Sequence, residues 1–108
     1  MSGARAIVHL TTPALWDAAQ DSGRLDAPSR ATEGFIHCAF ADQVGGVLER
    51  HWRGAGEVMA LTLDVQALAG RLRVERSPGS GQDYPHLYGG ELPVAAVVSA
   101  QRLRAPEA

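Results

Sequence analysis

Three of the four histidines in this chain sit inside short apolar runs instead of at their polar edges. The runs are Ile7-Val8-His9-Leu10, Gly34-Phe35-Ile36-His37-Cys38 and Tyr84-Pro85-His86-Leu87-Tyr88, and their β-branched and aromatic content is that of strands. Any one of these histidines, taken alone, reads as a satisfied core residue. Burying an imidazole without a partner is unfavourable, so a small core that repeats the choice needs a reason. The pattern asks for a fold that gathers three strands, and three imidazoles, around one cleft. His51 differs, because it lies beside Glu49 and Arg50 on a helix and reads as a surface residue.

The chain has 108 residues, short enough for a single domain spanning residues 1–108. Its hydrophobic fraction of 45% and mean hydropathy of -0.10 are those of a globular protein with a real core. A net charge of -2 leaves no basic footprint for nucleic acid or for an anionic membrane surface. All ten basic residues are arginine, which excludes Schiff-base chemistry on a lysine. One cysteine, Cys38, excludes an intrachain disulfide and a cysteine-rich zinc site. Residues 1–10 lack the pattern of a signal peptide, and no apolar run approaches the roughly 20 residues of a membrane span. The expected location is the cytoplasm.

Taken in order, Ala4 to Leu10 reads as a first strand. Thr12 and Pro13 supply an N-cap hydroxyl and a first-turn proline for a helix that carries Leu15, Trp16 and Ala19 and stops by Gly23. Arg24 to Thr32 is polar and reads as a surface loop. Gly34 to Ala39 scarcely alternates and reads as a strand buried on both faces. Ala41 to Arg53 is a second helix with Val44, Val47, Leu48 and Trp52 at helical spacing, and Gly45-Gly46 interrupt it. Glu57 to Val65 is the clearest alternating strand. Arg71 to Arg76 suggests an edge strand with arginines toward water, and Ser77 to Asp83 is turn-rich. Tyr84 to Tyr88 and Val94 to Arg104 complete the strands. Two early helices followed by mostly strands predict an α+β fold, with a mixed or antiparallel sheet core in one compact domain.

Known local motifs are largely missing. There is no Walker loop, no Gly-x-Gly-x-x-Gly and no nucleophile elbow, since Gly79-Ser80-Gly81 has the wrong spacing. Cys38 adjoins His37, but neighbours on a strand point to opposite faces, so Cys38 reads as packing. Three histidines with an open position would suit zinc, although their spacing matches no local ligand motif. Among the carboxylates, Glu33 and Glu91 flank the two histidine motifs, and Glu75 ends the strand before the turn-rich loop.

The ordered set Ile7 to Thr11, Glu33 to Ala39, Gln43, Leu61-x-Leu63-Asp64, Leu72-x-x-Glu75 and Tyr84 to Gly89 resembles the DUF952 family, over about Ile7 to Val98. That family has no assigned biochemical function. Some members carry a glutathione-transferase label, which this chain, too short for two domains and without a thioredoxin-like signature, does not support. The family in turn is similar in fold to the ADP-ribosyltransferases. The resemblance implies NAD as the cofactor, with His9 on the ribose and Phe35 to His37 against the nicotinamide. A glutamate near the last strands, Glu91, would stabilise an oxocarbenium ion.

The residues expected to act chemically are therefore His37, His86 and Glu91. Those expected to bind a small nucleotide-like or anionic ligand are His9, Thr11, Gly34, Phe35, Gln43, Glu75 and Tyr88. A non-catalytic binding module and a three-histidine metal site stand as alternatives.

Overall fold

The alternation of Glu57 to Leu63 gives a central strand. The computed structural model describes residues 6–108; Ala4 and Arg5, at the start of the expected first strand, lie outside them. The first strand, β1, is Ile7–Thr11 and is followed by helix α1, Pro13–Ser22. The Thr12 hydroxyl accepts the Leu15 amide at 3.1 Å, and Gly23 closes the helix at φ 81°, so both ends follow the capping residues seen in the sequence. A two-residue strand β2 (Arg24–Leu25) leads into helix α2, Pro28–Glu33. In the sequence this polar stretch reads as a loop. Its helix begins on a first-turn proline and ends on Gly34 at φ 87°, but it buries no residue and so shows no apolar period.

The expected strand Gly34 to Ala39 is bent into two: β3 (Ile36–His37) and β4 (Ala39–Phe40). A 3₁₀ turn, Ala41–Gln43, then enters helix α3, Val44–His51. The remaining strands are β5 (Glu57–Leu63), β6 (Leu72–Arg76), β7 (Asp83–Leu87), β8 (Leu92–Pro93) and β9 (Val97–Arg104), with a 3₁₀ turn at Val94–Ala96 before the last.

Every pairing is antiparallel. One sheet runs β4-β1-β5-β9, a second runs β3-β7-β6, and β2 pairs with β8. The bend at Cys38 lets one stretch of chain serve both larger sheets: His37 pairs with His86 of β7, whereas Ala39 pairs with Val8 of β1. The Cys38 amide itself donates to the Pro85 carbonyl at 3.0 Å. Between the sheets lies a core in which Leu25, Ile36, Leu61, Leu87 and Leu92 are at most 1% exposed. Each such side chain contributes about 2 kcal/mol of burial. This is a compact α+β domain, and its radius of gyration of 13.2 Å is that of a close-packed chain of this length. Among the described residues, no helix is long and apolar enough to cross a membrane.

Candidate functional site

Period-two geometry explains why the third histidine motif carries a site. On β7, Pro85 and Leu87 turn into the core, so Tyr84, His86 and Tyr88 share the opposite face. His37 of β3 stands directly across from His86 on one side, and Arg73 of β6 on the other. Glu75, two residues beyond Arg73, falls on the same face. Of these side chains, His37, Glu75, Tyr84, His86 and Tyr88 border a cleft of about 850 Å³, which β1 closes with His9 and Thr11.

Glu75 is the electrostatic centre. Its Oε1 accepts a hydrogen bond from the Tyr88 hydroxyl at 2.6 Å and another from His86 Nδ1 at 2.6 Å. The Tyr88 bond, followed by the His86 bond, holds the Glu75 carboxyl below its ordinary range, and the same Glu75 bond raises the Tyr88 phenol. An ionised carboxylate only accepts, so the proton of that bond sits on His86 Nδ1. The Nε2 atom of His86 is bonded to no other described residue. The Phe35 ring stacks on the imidazole with centroids 4.0 Å apart and planes 15° apart, and touches His37 edge-on at 4.9 Å. Tyr88 completes the aromatic wall at 5.4 Å from Phe35, with the Arg73 guanidinium 4.7 Å above its ring.

Helix α2 delivers a second pair. Gly34 in the left-handed conformation turns the chain back, so His37 Nε2 lies 2.9 Å from Oε2 of Glu33. The Ser29 hydroxyl donates to the Phe35 carbonyl at 2.8 Å and fixes the same turn. His9 lies deepest. It is 4% exposed, its Nδ1 donates to the His37 carbonyl at 2.7 Å, and burial pulls its pKa from 6.5 down to about 4. It is therefore neutral at pH 7, with a bare lone pair on Nε2. That atom is buried and has no partner among the described residues.

Of the residues chosen from the sequence, His9, Thr11, Phe35 and His37 line the cleft from the first half of the chain. Glu75, His86 and Tyr88 line it from the second. Three others do not. Gly34 acts through the backbone, as the helix end just described. Gln43 ties the entrance of α3 to β7: its Oε1 accepts the Phe40 amide at 2.9 Å and its Nε2 donates to the Asp83 carbonyl at 2.8 Å. Glu91 turns its carboxylate toward Arg24, at 3.9 Å, outside the cleft.

Arg71 accounts for the position of Glu91. Its guanidinium donates to the carbonyls of Tyr88, Gly90 and Glu91 at 2.7, 3.1 and 2.9 Å, pinning the loop backward. Arg71 was expected to face water and instead braces this loop. Arg76 pairs with Asp83 at 3.1 Å. Cys38 is 6% exposed, and burial pushes its thiol up to about 12, so it stays protonated at neutral pH.

The apolar stripe of α3 has a use the sequence did not reveal. None of its residues is buried, and Val47 and the following Trp52 line the cleft together with Leu15 of α1, which is 40% exposed. Half-exposed apolar side chains in a concave site favour a partly apolar ligand. As for a metal, no group of three or more His, Cys, Asp or Glu side chains among the described residues is placed to share one.

The fold and this cleft define a small α+β domain with antiparallel sheets. Residues 10–100 match the family described as "Protein of unknown function (DUF952)", and the chain belongs to that family. It is similar to the crystal structure of protein CC0527 from Caulobacter crescentus, a structural genomics target. The TM-score is 0.82 at 29% identity, over 91% of this chain and 85% of that one. The solution NMR structure of CC0527 gives a TM-score of 0.79 at 30% identity, over 92% and 84% of the two chains. No curated protein sequence matches the chain.

Proposed function

We propose that the cleft binds a small nucleotide-like molecule and that His86, oriented by Glu75, exchanges a proton with it. The observation that carries this reading is the double hydrogen bond at Glu75 Oε1. A carboxylate that holds the Nδ1 proton of an imidazole leaves Nε2 as a lone pair, the form a general base requires. The Tyr88 hydroxyl on the same oxygen fixes the carboxylate and withdraws part of its charge. Phe35 and Tyr88 offer flat faces for a base or a nicotinamide, and the half-exposed apolar rim suits the rest of such a ligand.

The finer form of the reading is an ADP-ribosyltransferase-like use of NAD. It rests on the sequence resemblance and on the orphan Nε2 of His9, an acceptor suited to a ribose hydroxyl. In that form the carboxylate facing the developing positive charge is Glu75, which lies in the cleft, and not Glu91. A non-catalytic binding module would use the same side chains without proton transfer.

Titration with NAD, followed by thermal unfolding, tests the reading. A ligand at 100 times its dissociation constant adds about 2.7 kcal/mol of stability. The unfolding midpoint of the wild type should rise, and that of Phe35→Ala should stay put. An unchanged wild-type midpoint at millimolar NAD removes NAD as the ligand, and release of nicotinamide on incubation separates catalysis from binding.

A further inference from the structure

Beside the main cleft is a second pocket of about 300 Å³, lined by Arg50, His51, Ser77, Gly79, Ser80 and Tyr84. Three of these residues, His51, Ser77 and Tyr84, also line the main cleft, so the two cavities adjoin. No carboxylate lines the smaller one, and what its walls offer is mostly hydrogen-bond donors. The Arg50 guanidinium donates to the Tyr84 hydroxyl, and no carboxylate lies within ion-pair distance of it among the described residues. Most other arginines here are committed: Arg24, Arg30, Arg53, Arg76 and Arg102 face carboxylates, and Arg71 braces carbonyls.

Two sequence features that the main site leaves unused converge on this pocket. The first is Gly46 in α3. A Cβ built there would lie 3.1 Å from the Arg50 guanidinium, so the missing side chain leaves the room in which Arg50 folds back along its own helix. The second is the Ser77-to-Gly81 turn, closed by the Gly81 amide on the Ser77 carbonyl at 2.9 Å. The Ser80 Oγ accepts the Gln82 amide at 3.2 Å, which leaves its own proton to give. The amides of Gly79 and Ser80 inside the turn donate to no described residue. A guanidinium opposite a turn of unused amides and hydroxyls is the donor set that a tetrahedral anion accepts.

We propose that this pocket is a phosphoryl subsite, with Arg50 as its cation and the Ser77–Gly81 turn as its cradle. A ligand that fills both cavities is then a phosphorylated compound with a flat ring, such as a nucleoside monophosphate. That last step rests on the main cleft being a ligand site; the phosphoryl subsite does not.

Amide chemical-shift mapping on the full chain tests it with three probes, inorganic phosphate, adenosine and adenosine monophosphate, against sodium chloride of equal ionic strength. Inorganic phosphate should move the Gly79 and Ser80 amides saturably in the wild type. In Arg50→Gln, whose folding is checked by its unfolding midpoint, binding should weaken by roughly tenfold, since a charge-assisted hydrogen bond is lost. Adenosine monophosphate should bind more tightly than phosphate or adenosine alone. Phosphate that moves these amides no more than chloride overturns the subsite, as does Arg50→Gln that folds and binds like the wild type. Phosphate binding without any gain from the adenosine moiety supports the subsite and counts against the nucleotide reading of the main cleft.

Discussion

His9 donates its Nδ1 proton to the carbonyl of His37, 28 residues later, at 2.7 Å. Two of the three histidine motifs are thereby joined through backbone and ring: the bond places a proton on Nδ1, and burial keeps the ring neutral.

Burial of this ring sets the pH dependence, outweighing the bond to the His37 carbonyl, which works in the opposite direction. Below pH 6.5 the unfolded chain takes up a proton on His9, whereas the folded chain does not until about pH 4. Stability therefore falls as pH drops across that window, by about 3 kcal/mol in full. Unfolding midpoints at pH 7.5 and 4.5 should differ in the wild type. In His9→Gln, which keeps a donor for the carbonyl, much of that difference should vanish.

Removing the carboxylate that orients His86 should separate binding from chemistry. Glu75→Gln keeps the volume and loses the charge that holds the Nδ1 proton, so the ring becomes free to change tautomer. Long-range ¹H–¹⁵N spectra should show Nδ1 protonation of His86 in the wild type and a tautomer mixture in Glu75→Gln. A single Nδ1–H tautomer in both would mean that Glu75 does not set the ring.

Arg71 holds three carbonyls in one loop, and its deletion leaves them without that partner. Arg71→Ala should cost about 2 kcal/mol in denaturant unfolding. It should also loosen Tyr88, visible as a lower phenol pKa once the Glu75 bond is disordered.

Gly46→Ala should push two properties apart. Alanine in place of this half-buried helical glycine adds about 1 kcal/mol of helix propensity. Its Cβ crowds the Arg50 guanidinium, so phosphate binding should weaken while the thermal midpoint holds or rises.

Much of this architecture is legible in the residues, because capping and alternation are local. Thr12, Pro13 and Gly23 mark both ends of α1, and Glu57 to Val65 reads directly as a strand, of which Glu57–Leu63 forms β5. Helix α2 is missed because its apolar period is absent; only Pro28 and Gly34 announce it. The run Gly34 to Ala39 looks like one strand buried on both faces because it scarcely alternates; His37 is in fact exposed, and the bend exists only in the pairing of the two halves with different sheets. The histidines of the cleft were readable as polar atoms in apolar text. The placement of Glu75 inside the cleft and Glu91 outside it was not, since it depends on the β6–β7 register and on the Arg71 brace. Arg50 carried no local signal either, for its partner Tyr84 is 34 residues away.

The most direct test follows the ring resonances of Phe35, His86 and Tyr88 as NAD, and separately adenosine monophosphate, is added to the wild type. A ligand seated on the Glu75–His86 pair moves all three together along one saturable curve, and Glu75→Gln shifts the curve to higher concentration. Rings that stay in place at millimolar concentrations of both nucleotides would contradict a nucleotide site in this cleft.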